Sequence, residues 1–189
     1  MKRIDDLRSF AFCGGFGAVS FVIMWGLGAI LLLATGMPLV GGLASGLVNA
    51  FVLIIGVKFV NRAWAAMIIS LVICSLSVPT VIFGPPGIYK IVLGLILGLL
   101  FELFMSLTRY SKFSYYLVLP VVFSLSVPIE YFMFVYLDFP AAEKLKSLMV
   151  GIAAIYFVNA ALGSYLGIKF FDKKMMKMNI VKNRIAMDG

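Results

Sequence analysis

FGPPGIYKIVLGLILGLLFELFMSLT, residues 83–108, opens on a glycine and two prolines and then runs apolar to its end. Lys90 stands near its start and Glu102 near its end. Proline is tolerated in the first turn of a helix, where its missing N–H would have no partner, so Pro85-Pro86 reads as a helix start. The apolar run of about twenty residues that follows is long enough to cross a bilayer. Lys90 falls in the first turn, where the helix dipole is already positive. A cation there calls for a compensating partner, water or an anionic ligand. Gly94 and Gly98, four residues apart, lay a thin ridge suited to close packing against another helix. The stretch therefore reads as a membrane helix that forms part of a binding site inside a bundle.

The rest of the chain agrees. Of 189 residues 63% are hydrophobic and 13% charged, more apolar surface than a water-soluble domain of this length can hide. Six runs have spanning length, at about 9–33, 39–60, 63–83, 86–108, 113–137 and 147–171, with a basic tail at 172–189. The expected fold is an all-α integral membrane protein, a single bundle of six transmembrane helices covering residues 1–189. The basic N-terminus, MKRIDDLRSF, precedes an apolar run of about 25 residues, too long for a signal peptide core and read as a retained first span. The Thr35-Gly36-Met37-Pro38 stretch reads as the turn after it.

Thirteen of the sixteen lysines and arginines fall at one set of segment ends, while Lys90, Lys144 and Lys146 fall at the other. The positive-inside rule then places both termini in the cytoplasm of a multi-pass plasma-membrane protein, and it explains the net charge of +8 without nucleic acid. The tail suits contact with anionic lipid or simply continues the orientation signal. There is no histidine, and Cys13 and Cys74 lie in apolar runs outside any metal or redox motif. No metal, cofactor or catalytic activity is expected. Two internal echoes suggest three repeated hairpins about the membrane normal. One is Ser75-Leu76-Ser77-Val78-Pro79 with Ser124-Leu125-Ser126-Val127-Pro128, and the other is Val48-Asn49-Ala50 with Val158-Asn159-Ala160.

Ionisable residues inside spans are functional candidates, because they are costly there unless paired. Lys90 and Glu130 come out at similar depth, able to pair or to face one ligand. Glu102 lies roughly 18 Å from Lys90 along the axis and cannot reach it. The competing readings are a snorkelling Lys90, a Glu130 that only neutralises it, and a Glu102 directed towards Arg109 or Lys112. Thr80 and Glu130 adjoin prolines 79 and 128, which should kink spans three and five and free carbonyls for a ligand. Asn49 and Asn159 add polar groups at mid-depth, and Tyr89, Trp25 and Tyr131 are candidates for an aromatic wall. The substrate-binding candidates are thus Lys90, Glu130, Thr80, Tyr89, Asn49 and Asn159. Ala11, Gly15 and Ala18 form a small-residue face on span one that admits a close-packed helix.

This combination of six spans in under 200 residues, a small-residue face on span one and a Gly-Pro-Pro-Gly lead into a glycine-rich span four resembles the substrate-binding S components of energy-coupling factor (ECF) transporters. The resemblance implies capture of a vitamin-like micronutrient from outside. It also implies energisation by a separate module of one membrane protein and two ATPases, with Ala11, Gly15 and Ala18 as the partner-facing surface. No phosphate-loop sequence is present, so ATP hydrolysis falls to that module. The alternatives are a small channel or carrier, an assembly factor of a larger complex, and a membrane-embedded lipid-modifying enzyme. The last lacks an interfacial cluster of Asp, Glu, His or Arg.

Overall fold

The computed structural model describes residues 2–35, 38–81, 84–111 and 113–177, with side chains except at 2–6, 32, 35, 38–45, 141 and 144. Gly36-Met37, Lys112, the Lys144 side chain and the tail beyond residue 177 therefore lie outside the described residues. Among those described are six α-helices and no strand: α1 Lys2–Thr35, α2 Pro38–Val60, α3 Ala65–Ser77, α4 Tyr89–Leu107, α5 Ser114–Tyr136 and α6 Ala141–Lys173. Four of them, α1, α4, α5 and α6, are long and apolar enough to cross a membrane. Their outer surfaces are hydrocarbon, with Val22, Leu33, Phe132 and Val150 all more than 60% exposed. A surface so apolar is suited to lipid rather than water.

The helices close into a ring in the order α1, α2, α6, α5, α4, α3 and back to α1. Followed in one sense, the ring meets α1 before α2 but α6 before α5 and α4 before α3. Rotation about the bundle axis preserves that sense, so no single rotation relates all three hairpins. The threefold repeat that the sequence echoes suggested is absent from this ring order.

Two helix bounds differ from expectation for one physical reason. Instead of running to residue 83, α3 stops at Ser77, and α4 begins at Tyr89 rather than at the prolines. Val78 still has helical dihedrals and gives its N–H to the Ser75 carbonyl, but Pro79 has no N–H to carry the ladder on, and Gly84, Pro85 and Gly87 give the chain no helical continuation. Gly84 has φ of +90°, and a Cβ there would stand 2.8 Å from the Tyr89 hydroxyl. The same pentapeptide in α5 behaves differently. That helix runs unbroken through Pro128 to Tyr136, because Ile129 to Tyr136 are all compatible with helix.

Close packing rests on glycine where backbones cross. Gly94 and Gly98 of α4 meet Cys74, Ser70 and Met67 of α3, a Cβ on Gly98 lying 2.5 Å from the Met67 Cα. Gly163 and Gly167 of α6 meet the backbone of α2 at Leu47 and Phe51 in the same way. On α1 the packing glycine is Gly17, which faces Val72, whereas Gly14 and Gly15 have nothing within 4 Å of a Cβ. We therefore expect Gly98→Leu to lower the unfolding free energy in detergent by roughly 1–3 kcal/mol, the usual cost of overpacking. Gly15→Leu should leave it unchanged. Thermal unfolding of the two purified variants checks the contrast.

Candidate functional site

A helix of 13 residues is roughly 20 Å long, against roughly 30 Å of bilayer hydrocarbon. In a bilayer at least one end of α3 would therefore fall at membrane depth, where water cannot satisfy the terminal backbone groups. The two charges of α4 do so instead. At the C-terminal end the Lys90 ammonium is wholly buried and donates to the Ser77 carbonyl at 3.0 Å and the Thr80 carbonyl at 2.6 Å. The neighbouring hydroxyls complete the cap, Ser77 donating to the Cys74 carbonyl and Thr80 to the Ser77 carbonyl, both at 2.8 Å. The Gly87 N–H reaches back to the Val78 carbonyl at 3.0 Å.

At the other end Glu102 accepts the Ala66 N–H at 3.0 Å and also the Met67 N–H. Its second oxygen accepts the Tyr110 hydroxyl at 3.4 Å. Partial burial, and then the Glu102 carboxylate, push the Tyr110 phenol above its ordinary pKa, which keeps it a donor. A cation thus sits at the negative end of the α3 dipole and an anion at the positive end. The partner that Lys90 requires is the α3 C-terminus. Neither a snorkelling Lys90 nor an ion pair between Lys90 and Glu130 is present, and Glu102 turns to backbone amides rather than to Arg109.

Glu130 is left facing the interior. It makes no hydrogen bond or ion pair with any described residue, and Lys90 acts on its charge from a distance. Its carboxylate lines a cleft inside the ring, together with Asn49, Ser70, Cys74, Ser126 and Tyr156. Below this polar end, Leu53, Leu97, Phe101, Leu119, Val122 and Phe123 supply an apolar floor. The α5 contributions at 119, 122, 123, 126 and 130 recur at helical spacing, which puts them on one face. The cleft together with the open space at its mouth spans about 590 Å³. The room inside for water-sized spheres is about 40 Å³, roughly three waters at roughly 10–15 Å³ each.

The candidates named from sequence are thus dispersed. Glu130 and Asn49 line the cleft, and the Asn49 carbonyl oxygen accepts the buried Ser20 hydroxyl at 3.3 Å. Lys90 and Thr80 belong to the α3 cap. Tyr89 donates to the Pro85 carbonyl at 2.8 Å and packs edge-on against Phe134 and Phe139, with Tyr131 nearby, outside the cleft lining. Asn159 lies beside Gly46 where α2 and α6 cross, and Trp25 is exposed. Ala11 and Gly15 are exposed on the outer face of α1, with Ala18 partly so. Of the cleft residues, Tyr156 carries no sequence signal, since it stands in the apolar run of α6. Cys74 reads as an inert thiol until the fold turns it towards the cleft.

Removing either cap should destabilise the protein. Lys90→Met leaves the Ser77 and Thr80 carbonyls without their ammonium donor and is expected to cost about 1–3 kcal/mol. Glu102→Leu should behave similarly, whereas Glu102→Gln keeps an acceptor oxygen for the Ala66 N–H and should lose less. Unfolding midpoints of the three variants in one detergent test the order.

No protein-family model matches the chain, and no curated protein or solved structure matches it either.

Proposed function

We propose that the chain is the membrane-embedded, substrate-binding subunit of an uptake transporter for a vitamin-like micronutrient, energised by a separate ATPase module. The observation that carries this reading is the cleft. Five of the six helices line it, with polar groups at one end and hydrocarbon below, the usual composition of a small-molecule site. In this reading all six helices lie within the plasma membrane. Both termini are cytoplasmic, as the lysine and arginine distribution asks. Glu130, six residues before the end of α5, then stands nearer the outer surface.

A cleft with room for a few waters is a closed form, so capture of a larger solute requires opening. The seam between α4 and α5 is suited to it, because the glycine ridge and both caps bind α3 and α4 into one unit. The same reading assigns Ala11, Gly15 and Ala18 to the energising partner. They sit on the side of α1 opposite the packed residues Cys13, Gly17 and Ser20. The chain has no catalytic role in this scheme. An assembly factor would use the same α1 face but would leave the cleft without a ligand.

The test is purification in mild detergent followed by mass spectrometry of whatever small molecule is released on denaturation. The expected result is one vitamin-like compound at near-stoichiometric yield, with membrane and ATPase subunits co-purifying from the native host. An empty protein bound to a single non-ATPase partner would overturn the proposal in favour of assembly.

A further inference from the structure

We infer that the cleft takes a ligand bearing a protonated amine on an apolar body, with Glu130 as its counter-ion. The inference rests on the solute-binding reading and gives the substrate a chemical class. Lys90, Glu102 and Glu130 are the charged side chains within the apolar stretches of α4 and α5, and two of them are already engaged. Lys90 is held by the Ser77 and Thr80 carbonyls, and Glu102 by the amides at the start of α3. Glu130 is the one carboxyl side chain in the cleft lining, which holds no lysine or arginine, and it has no direct partner among the described residues.

A carboxylate at membrane depth is costly unless a proton or a cation neutralises it. Lys90 acts on it only from a distance. A cationic guest supplies what the fold withholds, whereas a carboxylate or phosphate would meet like charge. An ammonium group has three donors and needs acceptors. The Glu130 oxygens provide them, and so does Ser126, one turn earlier on α5. Its own proton is given to the Phe123 carbonyl at 2.7 Å, so its lone pairs are left for the guest. Leu97, Phe101, Leu119 and Phe123 lie beyond this polar end. An amine held at Glu130 therefore directs its hydrocarbon or aromatic portion into apolar surroundings.

The experiment uses the full chain in detergent at neutral pH. Its probes are methylamine, n-butylamine and 2-phenylethylamine, each matched with the alcohol of the same skeleton, and 3-phenylpropanoate as the anion. We expect the amines to raise the unfolding midpoint, increasingly with the size of the body. Each should bind at least about tenfold more tightly than its alcohol, as loss of a charged hydrogen bond implies. Glu130→Gln should remove that preference. Should this variant fold poorly, the amine-to-alcohol ratio in the native chain decides the matter alone.

Equal binding of amine and alcohol overturns the inference, as does tighter binding of the propanoate or no response to any amine. A neutral or acidic compound retained through purification would overturn the amine assignment and leave the solute-binding reading standing. An empty protein that co-purifies with a single non-ATPase partner and still prefers amines would sustain the site and remove the uptake reading.

Discussion

The rest of the structure depends on the engagement of α4 with the two ends of α3. In hydrocarbon a helix end is the weakest point of the backbone, because the terminal N–H and C=O groups have no water to turn to. Here a single neighbouring helix answers both ends, with an ammonium against the carbonyls and a carboxylate against the amides. The two charges are twelve residues apart and the helix they bracket has thirteen. At equal rise per residue the spans match, and the antiparallel direction gives each charge the end of the α3 dipole that attracts it.

This arrangement changes what an intramembrane charge signifies. Lys90 and Glu102 fit the rule that such residues are functional, yet both are engaged by backbone, and their effect on any ligand is indirect. Because Lys90 is occupied, Glu130 is not neutralised by contact. The glycine ridge of α4 belongs to the same device. Without it the two helices could not approach closely enough for Lys90 to reach the Thr80 carbonyl at 2.6 Å.

Elsewhere the ring is held by contacts of a different kind. Small residues of α6 let α2 lie close along it, and at their common end Lys58 pairs with Asp172 at 2.6 Å and lies over the Phe171 ring. That pair is partly exposed, so it contributes modestly and fixes register more than it stabilises. The cleft remains where these two systems meet, between the α3–α4 unit and the face of α5.

Composition and apolar run length alone determined the helical, membrane-type character of the chain, because nothing but lipid-facing helix accommodates so much hydrocarbon with so few charges. Spacing revealed the Gly94–Gly98 ridge, and depth arithmetic showed that Lys90 and Glu102 do not meet. It could not show that they grip the same neighbour, since hydrogen bonding to backbone leaves no residue-type signature on the partner. The pentapeptide Ser-Leu-Ser-Val-Pro makes the same point. Its proline follows the end of α3 and lies inside α5, and what comes after it, with a buried lysine to hold the freed carbonyls, decides between them. Only the tertiary structure turned Tyr156 and Cys74 towards Glu130 and sent Tyr89 and Asn159 elsewhere. An apolar helix with weak amphipathicity does not declare which face looks inward, and the order of helices around the ring sets it.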